Sequence, residues 1–153
     1  MTDRLYYTDA GVLEFAARVV DVRDLDGKTA IVLDRSAFYP TSGGQPFDTG
    51  TLDEARVLDV IDQGDEILHV VDRPIATGTD IRGSIDAARR LDHMQQHTGQ
   101  HVLSAAFVRL FGVKTVSFHL GADISTIDLA REVTGKEMAA AEDPYIRDFL
   151  GGL

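Results

Sequence analysis

The sequence predicts an α+β protein in which a β-rich first part precedes a part built on one long helix. Up to about residue 85, short segments of alternating or continuous apolar residues are separated by turn sequences rich in Asp and Gly. From Ala87 to Phe111 there is no proline, and apolar residues recur at helical spacing. A chain of 153 residues is long enough to bury one core together with a small additional unit.

The first part, residues 1–85, is predicted to be a compact β domain of five or six short strands. Asp26-Gly27 supports the positive φ angles of a tight hairpin, and Asp62-Gln63-Gly64-Asp65 has the composition of a second hairpin turn. His69 lies inside an apolar run and is predicted to be a hydrogen-bonded residue of the sheet. The predicted strands cover residues 12–22, 29–33, 55–61, 66–71 and 81–85.

A loop rich in glycine and proline lies between the second and third of these strands. Two prolines and three glycines in residues 36–50 exclude regular structure through most of it. The Gly43-Gly44 pair lets the main chain approach a ligand or another segment closely, and Gln45 can both donate and accept hydrogen bonds. From these residues alone, a structural loop and a ligand-binding loop are both open interpretations.

The second part, residues 86–153, begins with the long helix. Asp86 is the predicted N-cap, and Gly112 stands where the helix would end. The remaining predicted elements are two strands and a short helix that begins at a capping box, and they cover residues 114–120, 124–129 and 134–142.

Three of the five histidines follow one face of the long helix. His93, His97 and His101 stand at i, i+4 and i+8. His97 and His101 can bind one divalent metal through adjacent ring nitrogens. His93 and His101 are about 12 Å apart along the axis, so all three cannot easily share one ion. The alternative is a polar helix face of hydrogen-bonded histidines, since no Glu follows the first histidine as in the HExxH zinc motif.

Composition limits the compartment and the partners. The chain has no cysteine, which excludes disulfides and thiolate metal ligands and fits the cytosol. It has neither an 18-residue apolar stretch nor the pattern of a signal peptide. We therefore expect a soluble, cytoplasmic protein with no membrane partner.

The net charge of −10 repels phosphate backbones overall, so nucleic-acid binding would need a local basic patch. The candidate residues for such a patch are Arg82, Arg89, Arg90, Arg109 and Lys114. The alternative is that they are ordinary solvated surface residues.

Four segments, in this order, closely resemble the AlaX proteins, free-standing relatives of the alanyl-tRNA synthetase editing domain. They are FYPTSGGQPFDTG (38–50), RLDHMQQHTGQHVLS (90–104), SFHL (117–120) and IDL (127–129). The resemblance implies a β-barrel-like N-terminal domain that carries the Gly-Gly-Gln loop. It implies that a partial α/β editing core follows, of the second-additional-domain type of threonyl- and alanyl-tRNA synthetases.

The resemblance also implies an activity and a site. The activity is that of an aminoacyl-tRNA deacylase, which hydrolyses serine or glycine from alanine tRNA in trans. The partner is the acceptor end of that tRNA, not DNA, and the cofactor is zinc. His97 and His101 carry over as metal ligands, and His119 is an in-chain candidate for a third. The expected substrate-binding residues are Thr41, Ser42, Gly43, Gly44, Gln45, Thr98 and Gln100.

The chain departs from the family in its metal ligands. Family sites add two ligands from a later CxxxH segment, and this chain has no cysteine. Three explanations of the missing ligands are open. The chain is a fragment, the site is completed by another chain or by a carboxylate, or catalysis has been lost. A catalytically incompetent homologue that binds tRNA or a synthetase is therefore an alternative function. A metal-independent small-molecule binding domain is another, and an oligomer is compatible with the sequence.

Overall fold

The computed structural model describes residues 1–121 and 124–141 as an α+β protein. A closed six-stranded β-barrel and two α-helices are its main elements, so the predicted α+β class and the barrel are confirmed. The chain divides into two compact units. The first comprises residues 1–42 and 46–90, and the second comprises residues 43–45 and the chain from residue 91 onward. The tip of the Gly-Gly-Gln loop thus belongs to the second unit.

The first unit contains the barrel, which closes in the order β2-β3-β7-β6-β5-β8 with antiparallel neighbours throughout. A further pair, β1 and β4, is parallel. A single 3₁₀ turn covers Leu5–Tyr7. The strands are β1 (Asp3–Arg4), β2 (Glu14–Leu25), β3 (Lys28–Leu33), β4 (Arg35–Ser36), β5 (Gly50–Leu52), β6 (Ala55–Asp62), β7 (Ile67–Val71) and β8 (Asp80–Ile85).

Alternating apolar side chains fill the barrel, as the sequence predicts. In β8, Ile81, Gly83 and Ile85 are buried while the residues between them are exposed. Asp26 and Gly27 join β2 to β3 with φ angles of 52° and 79°, which confirms the predicted hairpin turn. The largest fully buried apolar side chains of this core are Val19, Ile31, Leu33, Phe38, Leu52, Val60 and Ile67.

The second unit is built on α1 (Ala87–Phe111), whose first four residues group with the first unit. The Asp86 carboxylate accepts the Arg89 N–H at 3.1 Å, and Gly112 ends the helix with a φ of 65°. The helix bounds are those that the sequence predicts. Within the described ranges, neither helix combines the length and the apolar character needed to cross a membrane.

The remaining elements of the second unit are a hairpin and a short helix. The hairpin pairs β9 (Thr115–His119) with β10 (Thr126–Leu129) in antiparallel register. The short helix, α2 (Gly135–Ala141), begins at the predicted capping box, in which the Glu137 N–H donates to Thr134 Oγ1 and the Thr134 N–H donates to the Glu137 carboxylate. Residue 142, the predicted helix end, lies outside the described residues.

His69 is a hydrogen-bonded residue of the barrel interior, as predicted. Its Nδ1 lies 3.3 Å from the Ile31 carbonyl, so Nδ1 carries the proton and Nε2 accepts from the Ser36 hydroxyl at 2.7 Å. Complete burial lowers the pKa of His69 to about 4, so the ring is neutral near pH 7.

The stability of the chain should fall as the pH drops from about 6.5 towards 4. His69 of the unfolded chain takes up a proton near its ordinary pKa of 6.5, whereas the folded chain resists protonation until about pH 4. The contribution of the neutral His69 ring to the free energy of unfolding is therefore fully present above pH 6.5. This contribution falls by about 3 kcal/mol as the pH drops to about 4. Urea unfolding at several pH values measures this slope. In the variant His69→Gln, which cannot titrate at this position, the dependence of the unfolding free energy on pH should be weaker. An equal slope in both proteins would show that His69 is not its cause.

Candidate functional site

The predicted metal ligands face each other in the second unit. His97 and His101 stand one turn apart on α1, and their Nε2 atoms lie 3.0 Å from each other. In a tetrahedral zinc site, two imidazole nitrogens are about 3.3 Å apart, because each zinc–nitrogen bond is about 2.0–2.1 Å. The pair therefore fits two neighbouring ligand positions of one ion.

The loop tip and the hairpin hold the His97 ring. Gln45 is only 6% exposed, and its Oε1 lies 3.0 Å from His97 Nδ1. The Phe118 ring of β9 packs edge-on against the imidazole, with ring centroids 5.3 Å apart. His97 is thus partly buried and fixed from two sides, while His101 is exposed.

The surroundings of His97 favour its neutral form, which is the form that a metal requires. Burial lowers the pKa of His97 below its ordinary value, and the nearby charge of His101 lowers it further. Both causes act against a proton on the ring, so the folded chain presents a lone pair at this position.

The other histidines do not complete the site. His119 is exposed on β9, where it pairs across the hairpin with Thr126. His93 is buried, with 6% exposure. Among the residues that the structure describes, no group of three or more His, Cys, Asp or Glu side chains is arranged to hold a metal. The described chain thus supplies two ligands of the three or four that zinc sites use.

Gly44 brings the loop tip against the main chain of β9. Its φ is +82°, and a Cβ placed there would lie 2.2 Å from the Phe118 carbonyl oxygen. The Gly44 carbonyl accepts the Leu120 N–H at 2.8 Å. A Cβ on Gly43, whose φ is +56°, would meet nothing within 4 Å. The close approach predicted for the glycine pair is therefore made by Gly44.

Gly44→Ala should destabilise the chain by about 1–3 kcal/mol more than Gly43→Ala. Both substitutions force alanine into a left-handed backbone conformation, but only Gly44→Ala also drives a methyl group into the Phe118 carbonyl. Urea unfolding of the two variants measures the difference. Equal losses would mean that the contact between the loop and β9 adds nothing to stability.

Several expected substrate-binding side chains are engaged in local hydrogen bonds. The Thr98 hydroxyl donates to the Met94 carbonyl at 2.8 Å, one turn earlier in α1. Gln100 Nε2 donates to Ser104 Oγ at 2.6 Å. In the first unit, Thr41 Oγ1 accepts the Phe47 N–H at 3.2 Å, and Ser42 is exposed.

A cavity of about 190 Å³ lies in the second unit, beside the face of α1 that carries Gln96 and Gln100. Its wall combines the polar groups of Gln96 and Ser125 with apolar side chains. Ser125 Oγ donates to Gln96 Oε1 at 2.8 Å, which joins the two polar residues. The full lining is Gln96, Gly99, Gln100, Leu103, Phe118, Leu120, Ser125, Thr126 and Ile127.

The structure places Arg90 in the interior of the first unit, whereas the sequence suggested an exposed tRNA contact. Arg90 is 4% exposed, and its guanidinium pairs with the fully buried Asp48 and donates to the carbonyls of Ala10 and Ala37. Arg89 is partly buried, and its Nε donates to the Phe47 carbonyl. The exposed members of the predicted patch are Arg82, Arg109 and Lys114.

Sequence reasoning missed the partners of His97. It proposed Gln45 as a substrate contact, and it named Phe118 only within the SFHL segment. Gln45 and His97 are 52 residues apart, and no local pattern marks a contact of that kind. The only available signal is that both lie in segments that resemble one family.

Comparison with known proteins gives one family and several long relatives. A family model described as "tRNA synthetases class II (A)" matches residues 2–89, more than half of the chain. Alanine–tRNA ligase of Pyrococcus furiosus is 44% identical over 136 residues, which cover 85% of this chain and 14% of that protein. The alanyl-tRNA editing protein Aarsd1 of Bos taurus is 42% identical over 124 residues, 78% of this chain and 28% of the relative.

A third relative covers nearly the whole chain. The alanyl-tRNA editing protein AlaX-L of Pyrococcus horikoshii is 36% identical over 150 residues, 93% of this chain and 37% of the relative. The chain thus spans between about one seventh and somewhat over one third of the length of these three proteins.

Proposed function

The chain belongs to the family of tRNA synthetases class II (A), and from this premise we propose that it hydrolyses mischarged alanine tRNA. The bond broken is the ester that joins serine or glycine to the terminal ribose. Similarity to alanyl-tRNA editing proteins, including AlaX-L, supports the proposal and confirms the AlaX resemblance. The observation that carries the proposal is the converging pair of imidazoles, His97 and His101, beside the glycine-rich loop tip.

The proposed cofactor is zinc, held by Nε2 of His97 and Nε2 of His101. When bound, the metal supplies Lewis-acid polarisation of the ester carbonyl or a water of lowered pKa. The chemistry of the donor set fits, since both donors are imidazoles with facing nitrogens and the lowered pKa of His97 favours its neutral form. The remaining ligands would come from another chain, from further sequence of the kind that the longer relatives have, or from a carboxylate.

The chain's own residues would bind and orient the aminoacyl ester. The neighbouring cavity is the proposed place for the amino-acid side chain, and its Gln96 and Ser125 groups can hydrogen-bond a hydroxyl. Serine can form such a hydrogen bond and alanine cannot, because alanine lacks the hydroxyl. Phe118 covers one side of the His97 ring and limits the access of water there.

The acceptor end of alanine tRNA would be held through its phosphates. Arg109 and Lys114 in the second unit and, separately, Arg82 in the first unit are exposed, and each can supply positive charge against the net charge of −10. Such contacts release counterions, so binding should weaken steeply as salt is raised.

One observation favours a second candidate, a module that binds tRNA or a synthetase without catalysis. The described residues provide only two histidine ligands and no third group. A zinc ion held by two protein ligands would bind weakly, because structural and catalytic sites use three or four.

Release of the amino acid distinguishes the two candidates. Purified chain is incubated with alanine tRNA charged with serine, glycine or alanine, with and without added zinc, and free amino acid is measured over time. If the chain is a deacylase, we expect zinc-dependent release of serine or glycine, while alanyl-tRNA stays intact. Binding of the tRNA without release of serine or glycine would refute the deacylase and leave the binding module.

A further inference from the structure

We propose that Gln45 is a positioning residue that selects the tautomer of His97, so that the Nε2 lone pair of His97 points at His101. This inference concerns the metal site of the proposed function and rests on it for its biological meaning. Its physical content, a hydrogen bond that fixes one proton, is a property of the metal-free chain.

The Gln45 contact decides where the His97 proton lies. The atom that faces Nδ1 at 3.0 Å is the carbonyl oxygen of the Gln45 amide, which can only accept. A neutral imidazole has one N–H, so the contact is a hydrogen bond only if Nδ1 carries the hydrogen. Nε2 of His97 is then a lone pair, which is the state that a metal ligand needs.

The distance between the two rings extends this assignment to His101. The Nε2 atoms of His97 and His101 are 3.0 Å apart, so one of them must donate to the other. With a lone pair on His97 Nε2, His101 Nε2 is the donor. The two rings then carry opposite tautomers in the metal-free chain. With the proton on His97 Nε2 instead, its Nδ1 lone pair would face the Gln45 oxygen, and two acceptors at 3.0 Å repel each other.

The loop tip restrains the Gln45 amide. The preceding residue, Gly44, accepts the Leu120 N–H and lies so close to the Phe118 carbonyl that no side chain fits. Gln45 itself is 6% exposed, and its oxygen is already engaged with His97. These contacts favour a role in orienting His97 over the direct substrate contact that the sequence suggested.

The test compares Gln45→Leu, which removes the acceptor, with Gln45→Glu, which keeps it. Gln63→Leu, an identical change at an exposed turn position, is the matched control. Nitrogen-15 NMR of the metal-free chain, at a pH well above the ordinary histidine pKa, reports the tautomer of each ring. Binding of Zn²⁺ alone, measured by calorimetry, gives a readout that needs no tRNA.

We expect the Nδ1–H tautomer for His97 and the Nε2–H tautomer for His101 in the wild-type chain and in Gln45→Glu. Gln45→Leu should lose the Nδ1–H preference of His97 and bind zinc about 10–100-fold more weakly, as for other partners of metal-bound histidines. Gln63→Leu should change neither quantity.

The Nε2–H tautomer for His97 in the wild-type chain would overturn the proposal, even if no variant folds. Unchanged tautomer and zinc affinity in a folded Gln45→Leu would overturn it as well. The proposed function fails separately: a wild-type chain with the expected tautomers and no release of serine or glycine would refute deacylation and support the positioning role. If instead His97 carries its proton on Nε2 and the chain releases serine or glycine whether or not Gln45 is present, the positioning role is refuted and deacylation is supported.

Discussion

Arg90→Met should lower the free energy of unfolding by about 3–5 kcal/mol, the largest effect on stability that we expect. Arg90 Nε lies 3.1 Å from both carboxylate oxygens of Asp48, and its two terminal nitrogens donate to the Ala10 and Ala37 carbonyls at 2.6 Å. The Asp48 side chain is fully buried, and it also accepts the Tyr39 N–H. Methionine would leave a buried carboxylate without its cation and two carbonyls without this donor.

Arg18→Met is the matched control for this prediction. Arg18 pairs with Asp80 at 3.0 Å, but both side chains are more than half exposed, so its loss should cost less than about 1 kcal/mol. Urea unfolding of both variants at pH 7 gives the comparison. Similar losses in the two variants would show that the Arg90–Asp48 pair is no stronger than a surface ion pair.

His97→Ala and His101→Ala should each reduce the rate of amino-acid release by about 100-fold or more. A metal that stabilises the transition state by several kcal/mol accounts for a factor of that size, and neither variant keeps the facing pair of nitrogens. Both variants should also lose bound zinc.

His119→Ala is the control, since His119 is exposed on β9 and stands outside any metal-holding group among the described residues. It should retain both zinc and activity within a factor of about two. Loss of activity in His119→Ala as large as that in His97→Ala would show that the wrong histidines have been paired.

The elements that the sequence predicts well are those with local causes. The bounds of α1 follow from Asp86, from Gly112 and from the absence of proline between them. The hairpin between β2 and β3 follows from Asp26-Gly27, and the start of α2 follows from its capping box. Closure of the barrel has no such local cause, because β5 has three residues and pairs with β8, more than 30 residues later in the chain.

The candidate site shows the same limit. The spacing of His97 and His101 is local, so the sequence alone predicts that their rings share a face. The burial of Arg90 could not be predicted, because a buried and a solvated arginine look alike at the start of a helix. Its partner, Asp48, lies 42 residues away in a loop without periodic pattern. The contact of Gln45 with His97 could not be predicted for the same reason, since it becomes visible only in three dimensions.

The proposal of a metal-dependent deacylase is tested most directly by adding zinc back to chain from which a chelator has removed all metal. Release of serine and of glycine from mischarged alanine tRNA is followed as zinc is added to the wild-type chain and to the double variant His97→Ala/His101→Ala. We predict that zinc restores release by the wild-type chain on one of these substrates and has no effect on the double variant. Equal release by the two proteins, or release by the wild-type chain that zinc does not change, would contradict the account.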